Sequence, residues 1–333
     1  MQSFDAVIMW VDGKDSIFQR QYNNYAGAAS KKKLAHEGTG RHRDNGELKY
    51  CLRGIDHNAP WINRIHIVTS GQVPYDLDFD HPKLNLVIHS DIFPDLNVLP
   101  TFNSFAIDSC LHNIPGLSEK FVRLSDDFLI LNPISTVDLM GDSGAGRYYF
   151  GPVVRQPDEL ARDSTHYMRT LSFNRSILQK EALDGHRNPL HVPQVRDIGT
   201  CRSLEKRFEE HFARTRAHRF RSDQCLSMLY LYPHYVAAER DIAIGDNGDY
   251  HHGDFINQTW GKARQALVGD SRKDWRKTIG DAVVDKVYFL NVNDHLGENP
   301  DPSEATDYRR MLEGLFPIPA SFEQQTQPDH SAG

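Results

Sequence analysis

The sequence predicts an α/β protein: a mostly parallel, Rossmann-like sheet flanked by helices, followed by a more irregular, helical second half. Three observations carry that expectation. Short, nearly continuous apolar runs recur through the first 130 residues and stop at Asp or Gly, as in strands covered on both faces. Segments with apolar residues three and four apart lie between them, the pattern of βαβ units. The chain has 333 residues, 39% of them hydrophobic and 25% charged, which is enough apolar material for one sizeable core. We expect a single domain over 1–323, with an α/β half (1–135), a helical and irregular half (136–323) and a polar tail (324–333).

The first run, residues 4–11, ends at Asp12-Gly13. Gly13 permits a tight turn or a close approach of backbone to a ligand, although an Asp-Gly after a strand is often only a turn. A helix is expected from Ile17 to Tyr25. A polar loop should follow, made basic by Lys31, Lys32, Lys33, Arg41 and Arg43 and flexible by Gly38 and Gly40. Leu48, Cys51, Leu52 and Ile55 then mark an amphipathic helix, with Asp44 as its N-cap and Glu47 completing a capping box. Strands are expected over 65–69 and 84–88. Thr101 or Asn103 should cap a helix containing Phe105, Ala106, Cys110 and Leu111 and ended by Pro115-Gly116. The strand beginning at Phe121 follows. Beyond it we expect an extended segment over 147–154 and helices within 164–184 and over 202–214, 223–231 and 303–314. A surface loop should cover 241–253 and a last strand 283–290.

The chemistry is placed at the end of the strand that begins at Phe121. There Asp126 and Asp127 interrupt the apolar residues, which resume at Phe128. Open α/β sheets bind ligands beyond the carboxyl ends of their strands. Two hard oxygen ligands beside a phosphate suit Mg²⁺ (or Mn²⁺), which takes only one or two protein carboxylates; an Asp-Asp pair also suits a plain turn. Asn293-Asp294 offers a second carboxylate near a strand end. His191 has the residue type for a general base, and Arg221 for a phosphate clamp. With 17 histidines, and with Arg221 inside a basic stretch, both also fit solvated surface. The net charge of −7 excludes a nucleic-acid binder held by an overall basic surface. Four cysteines without a CxxC pair fit reduced thiols in a cytoplasmic protein. No apolar run has the length of a membrane span, so we expect a soluble chain without an integral membrane segment.

Four separated blocks resemble the Stealth family, which includes bacterial capsular polysaccharide phosphotransferases and the catalytic part of the lysosomal-enzyme N-acetylglucosamine-1-phosphotransferase. The first block is residues 7–15, with Trp10-Val11-Asp12-Gly13. The second runs from Arg43 through Pro60-Trp61 and Thr101-Phe102-Asn103-Ser104 to Asp126-Asp127. The third is His191-Val192-Pro193 with Arg221-Ser222-Asp223, and the fourth is Asn291-Val292-Asn293-Asp294. Two positions depart from the family pattern: Ser125 replaces the usual Asn, and Val292 the usual Leu.

The resemblance implies a glycosyltransferase-A-like fold. It implies transfer of hexose-1-phosphate, typically N-acetylhexosamine-1-phosphate, from a UDP-sugar to an acceptor-glycan hydroxyl, giving a phosphodiester and UMP in capsule or exopolysaccharide synthesis. It assigns His191, Arg221 and Asp127 to catalysis and Asp127 and Asp294 to the metal. Asp12, Gly13, Arg43, Asp44, Asn103, Ser104 and Asp126 would line the donor site. The expected partners are a nucleotide-sugar donor and a glycan acceptor, with room for peripheral association with capsule-assembly machinery. A metal-dependent glycosyltransferase releasing UDP, a metal-dependent phosphohydrolase and a non-catalytic carbohydrate binder are the alternatives.

Overall fold

A computed structural model describes residues 3–34, 42–141, 144, 146–240, 251–252, 255–257, 262–269, 274–297 and 299–324. Gly38, Gly40 and Arg41 of the expected basic loop, most of the expected loop over 241–253 and the tail 325–333 lie outside the described residues.

The strands are β1 (Phe4–Met9), β2 (Ile65–Thr69), β3 (Leu84–Ile88), β4 (Lys120–Ser125), β5 (Phe128–Ile130), β6 (Tyr148–Val153), β7 (Arg187–Pro189), β8 (Gln194–Asp197), β9 (His251–His252), β10 (Phe255–Asn257), β11 (Ala263–Val268) and β12 (Phe289–Asp294). The helices are α1 (Ser16–Leu34), α2 (Glu47–Asn58), α3 (His89–Ile92), α4 (Ser104–Asp108), α5 (Thr136–Leu139), α6 (His166–Lys180), α7 (Ile198–Arg207), α8 (Glu209–Ala217), α9 (Met228–Glu239), α10 (Trp275–Val284) and α11 (Pro302–Leu315).

The central sheet runs β3-β2-β1-β4-β8. The first four strands are parallel, and β8 joins β4 antiparallel. The fold is therefore α/β with a mostly parallel sheet. Alternation on β4 distributes its side chains between two cores. Val122 and Leu124 join the cluster that includes α2, β5, β12 and α11, while Phe121 joins the one with α7, α8 and α9. A second sheet, β11-β12-β5, is stitched to the first because β5 follows β4 after only Asp126 and Asp127. The acidic pair therefore sits at the corner where the chain leaves one sheet for the other. Both sheets also pair strands across residue 135: β4 with β8, and β5 with β12.

Several sequence expectations are corrected. Helix α1 continues to Leu34 across a kink at Gly27 (φ 59°) instead of ending near Tyr25. Helix α2 starts at Glu47 behind a left-handed Gly46 (φ 96°), so Asp44 is not its N-cap. The Asp44 carboxylate accepts from Gly46 N and caps the preceding turn. The helix capped by Asn103 is the short α4, followed by a 3-10 turn at Leu111–Asn113. The single helix expected over 202–214 is two, α7 and α8, and the one expected over 223–231 is α9, which runs through Pro233. Val283 and Val284 end helix α10 rather than begin a strand. Burial of Trp275, Ile279 and Ala282 on one helical face outweighs their β-branched preference, and the strand starts at Phe289.

Candidate active site

Strand β1 ends beside Asp12, whose backbone oxygen accepts from Gln72 Nε2 (2.7 Å) and whose Oδ1 accepts from Lys14 N (2.8 Å). Gly13 N donates to His42 O at 2.7 Å. A Cβ at Gly13 would stand 2.2 Å from that oxygen, so glycine is required here by the backbone packed on it. This contact lays residues 42–46 across the carboxyl end of β1. Trp10 Nε1 donates to Asp44 Oδ2 (3.1 Å), and Glu47 accepts from Asn45 N (2.7 Å) and Nδ2 (2.9 Å).

Arg43 reaches across to the end of β12. Its Nη1 lies 3.2 and 3.0 Å from the two Asp294 oxygens. Asp294 also accepts from Asn45 Nδ2 (3.2 Å) and Leu296 N (2.8 Å). Asp294, expected as a metal ligand, is thus paired with Arg43, and Arg43, expected on the donor, is engaged by Asp294. Next door, Asp127 Oδ2 accepts from Asn291 Nδ2 at 2.8 Å, and Asp127 O from Val292 N at 3.0 Å.

Asp44, Glu47, Asp126 and Asp127 form one electrostatically connected group. Burial pushes the Asp127 carboxyl up to about 6, against the opposing pull of Asn291 and Arg123. Burial, then the Asp127, Glu47 and Asp44 charges, push Asp126 well above the carboxylate range. Glu47, 4% exposed, is raised to about 7, chiefly by burial. Asp44 is raised by burial and, more weakly, by Asp12. Crowded carboxyls held toward their neutral form are what a hard cation would relieve. Among the described residues no three His, Cys, Asp or Glu groups stand as a ready-made metal cage. The donor set fits an ion held by one or two carboxylates and completed by ligand oxygens and water, not one enclosed by protein.

The opposite flank is cationic. His191 is half-buried; its Nε2 is 3.4 Å from the Tyr167 hydroxyl and its ring 6.0 Å from that of Phe128. Burial, with the charges of Arg123 and Arg221, lowers the imidazole to about 4, so it is neutral and able to accept a proton at neutral pH. Arg221 lies over the Phe105 ring at 5.4 Å. Its segment is held by Phe220, stacked on Phe102 (5.2 Å) and edge-on to Tyr22 (5.3 Å), which in turn meets His42 (5.5 Å). This aromatic group ties the chain around Arg221 to the loop that carries Arg43.

Asn103, expected on the donor, is fully buried. Its Oδ1 accepts from Phe105 N (3.1 Å), while its Nδ2 donates to His218 O (3.0 Å) and Thr215 O (3.3 Å). It caps α4 and fastens the 215–225 segment, so it has no polar atom left for a donor. Ser104, half-buried, opens α4. Sequence reasoning missed Glu47 as a site carboxylate, Asn291 as the Asp127 partner, Tyr167 beside His191, and Arg123. Only Arg123 carried a signal: a charge inside an otherwise apolar strand. The four cysteines are free and buried, and no helix among the described residues is long and apolar enough to cross a membrane.

Fold and site together define an α/β protein with a strand-end carboxylate group linked through Arg123 to an arginine–imidazole flank. Stealth protein conserved region 2 matches residues 41–147, and conserved region 3 matches residues 190–238. The receptor polysaccharide phosphotransferase WefC of Streptococcus oralis is 38% identical over 349 residues, covering 97% of this chain and all of that protein. Exopolysaccharide phosphotransferases of Streptomyces coelicolor and Nocardia farcinica are 30% and 32% identical over 96% and 97% of this chain. This chain spans 52% and 62% of their lengths. A solved galactosyltransferase, LgtC in complex with donor and acceptor sugar analogues, aligns over 98% of each chain at TM-score 0.42 and 10% identity. The chain belongs to the Stealth family.

Proposed function

We propose that this chain transfers hexose-1-phosphate, with an N-acetylhexosamine as the hexose, from a UDP-sugar to a hydroxyl of an acceptor glycan. The observation that carries the reading is the strand-end carboxylate group facing His191, Arg123 and Arg221, in a chain that aligns end to end with a polysaccharide phosphotransferase. Such a transfer asks mainly for positioning and charge neutralisation.

The acceptor oxygen attacks the phosphorus that bears the sugar. A phosphorus–oxygen bond forms there as the bond to the bridging oxygen breaks, and UMP leaves with that oxygen. His191, neutral in the free protein, takes the hydroxyl proton. Arg221 neutralises charge on the transferring group through its planar fork. Asp127 and Asp126 would hold Mg²⁺ or Mn²⁺, joined by Asp294 once Arg43 turns to the donor; the ion would supply charge neutralisation on the diphosphate. Asp12 and Gly13 border the donor end of the site, where glycine lets the 42–46 segment pack against the backbone.

The test is the nucleotide product. Incubation with UDP-N-acetylhexosamines, Mg²⁺ and a capsule-like glycan should give UMP, and mass spectrometry should find the sugar joined through a phosphodiester. UDP as the product would make the chain a glycosyltransferase. Donor cleavage that the acceptor does not accelerate would make it a hydrolase.

A further inference from the structure

Beneath the carboxylates lies a buried trio with two positive charges against one negative: Arg123 (5% exposed), Arg196 (1%) and Asp108 (3%). Arg196 takes most of what Asp108 offers. Its Nη1 donates to Oδ1 at 2.6 Å and its Nη2 to Oδ2 at 3.2 Å, while its Nε donates to Gln194 Oε1 at 2.9 Å. Arg123 is left with the remainder. Its Nε stands 3.5 Å from Asp108 Oδ1 without forming a hydrogen bond, and its buried Nη1 has no hydrogen-bond partner among the described residues. Its guanidinium lies 5.5 Å from the Phe128 ring centroid.

A buried guanidinium with unused N–H groups is costly to maintain. Asp127 lies within its field but directs Oδ2 to Asn291, so that carboxylate does not satisfy the fork. Arg123 is four residues ahead of Asp127 on β4, and its field reaches His191 as well. Phe128, against which Arg123 packs, also meets the His191 ring at 6.0 Å, and a buried cation there with unused donors has the chemistry of an anion site.

We propose that Arg123 is an anion-binding residue of this site, taking the phosphoryl group of the donor between His191 and Asp127. The assignment of that anion rests on the phosphotransferase reading. Arg123, not Arg221 alone, then fixes the sugar-bearing phosphate.

The experiment compares the 333-residue chain with Arg123→Met and Arg123→Lys, using inorganic pyrophosphate as the probe. Three quantities are read: the melting temperature alone, its shift with pyrophosphate, and kcat and KM with UDP-N-acetylglucosamine. Arg123→Met should melt no lower than wild type, because an uncompensated buried cation is replaced by an apolar chain of similar length. It should lose the pyrophosphate shift and on the order of 100-fold in kcat/KM. Arg123→Lys, with the charge but not the fork, should fall between.

A pyrophosphate shift and turnover within twofold of wild type in Arg123→Met overturn the proposal, as does the absence of any shift in wild type. Should Arg123→Met fail to fold, Arg123→Lys decides: an unchanged shift overturns the proposal and a reduced one supports it. If wild type turns over no UDP-sugar, the phosphotransferase reading falls, and the pyrophosphate shift still decides whether Arg123 binds anions.

Discussion

Around Asp126 the charged neighbours are carboxyls, those of Asp127, Glu47 and Asp44; around His191 they are the arginines Arg123 and Arg221. Both sides respond in the same way, each titratable group being moved toward its neutral form. Asp127 rises to about 6 and Glu47 to about 7, while His191 falls to about 4. The site therefore holds less charge than its composition suggests. The acidic side is crowded with carboxyls, and the basic side, through Arg123, is short of acceptors among the described residues. Under the proposed function, a phosphorylated ligand with a divalent ion would match both sides.

Three variants break or sharpen this contrast, from the largest expected effect to the smallest. Asp127→Ala removes the carboxylate at the sheet corner and should lower turnover on the order of 1,000-fold without lowering the melting temperature. Near-native turnover would take Asp127 out of the site. His191→Ala should cost on the order of 100-fold, the usual contribution of a positioned base. In the wild-type protein, nuclear magnetic resonance titration of the His191 ring should give a midpoint below pH 5; one near 6.5 would mean that neither burial nor the arginine charges are felt there.

Glu47→Gln addresses stability. The Glu47 pKa is higher in the folded state (about 7) than its ordinary 4.5, so its favourable contribution is complete below pH 4.5 and is lost as pH rises through 7. At pH 8 the variant should be the more stable protein by at most about 3 kcal/mol, and the two should converge toward pH 4. Parallel denaturation curves across that range would contradict a buried, raised acid at Glu47.

Strands β1, β2 and β4 and the turn at Asp126-Asp127 were legible because two-sided burial writes itself as an unbroken apolar run. The strand at 283–290 was misplaced because two valines at a helix end look locally like a strand. The basis for helix α10 lies in contacts of Trp275 and Ile279 that no short window contains.

By itself, the sequence determined the parallel frame, the acidic pair at its carboxyl edge and the resemblance that assigns His191, Arg221 and Asp294. Only the tertiary structure decided that Asp294 pairs with Arg43 across 251 positions, that Asn103 turns inward, and that Arg123 is short of acceptors. The physical reason is range. Periodicity records which face of an element is buried, whereas the partner of a buried charge is chosen by segments far along the chain.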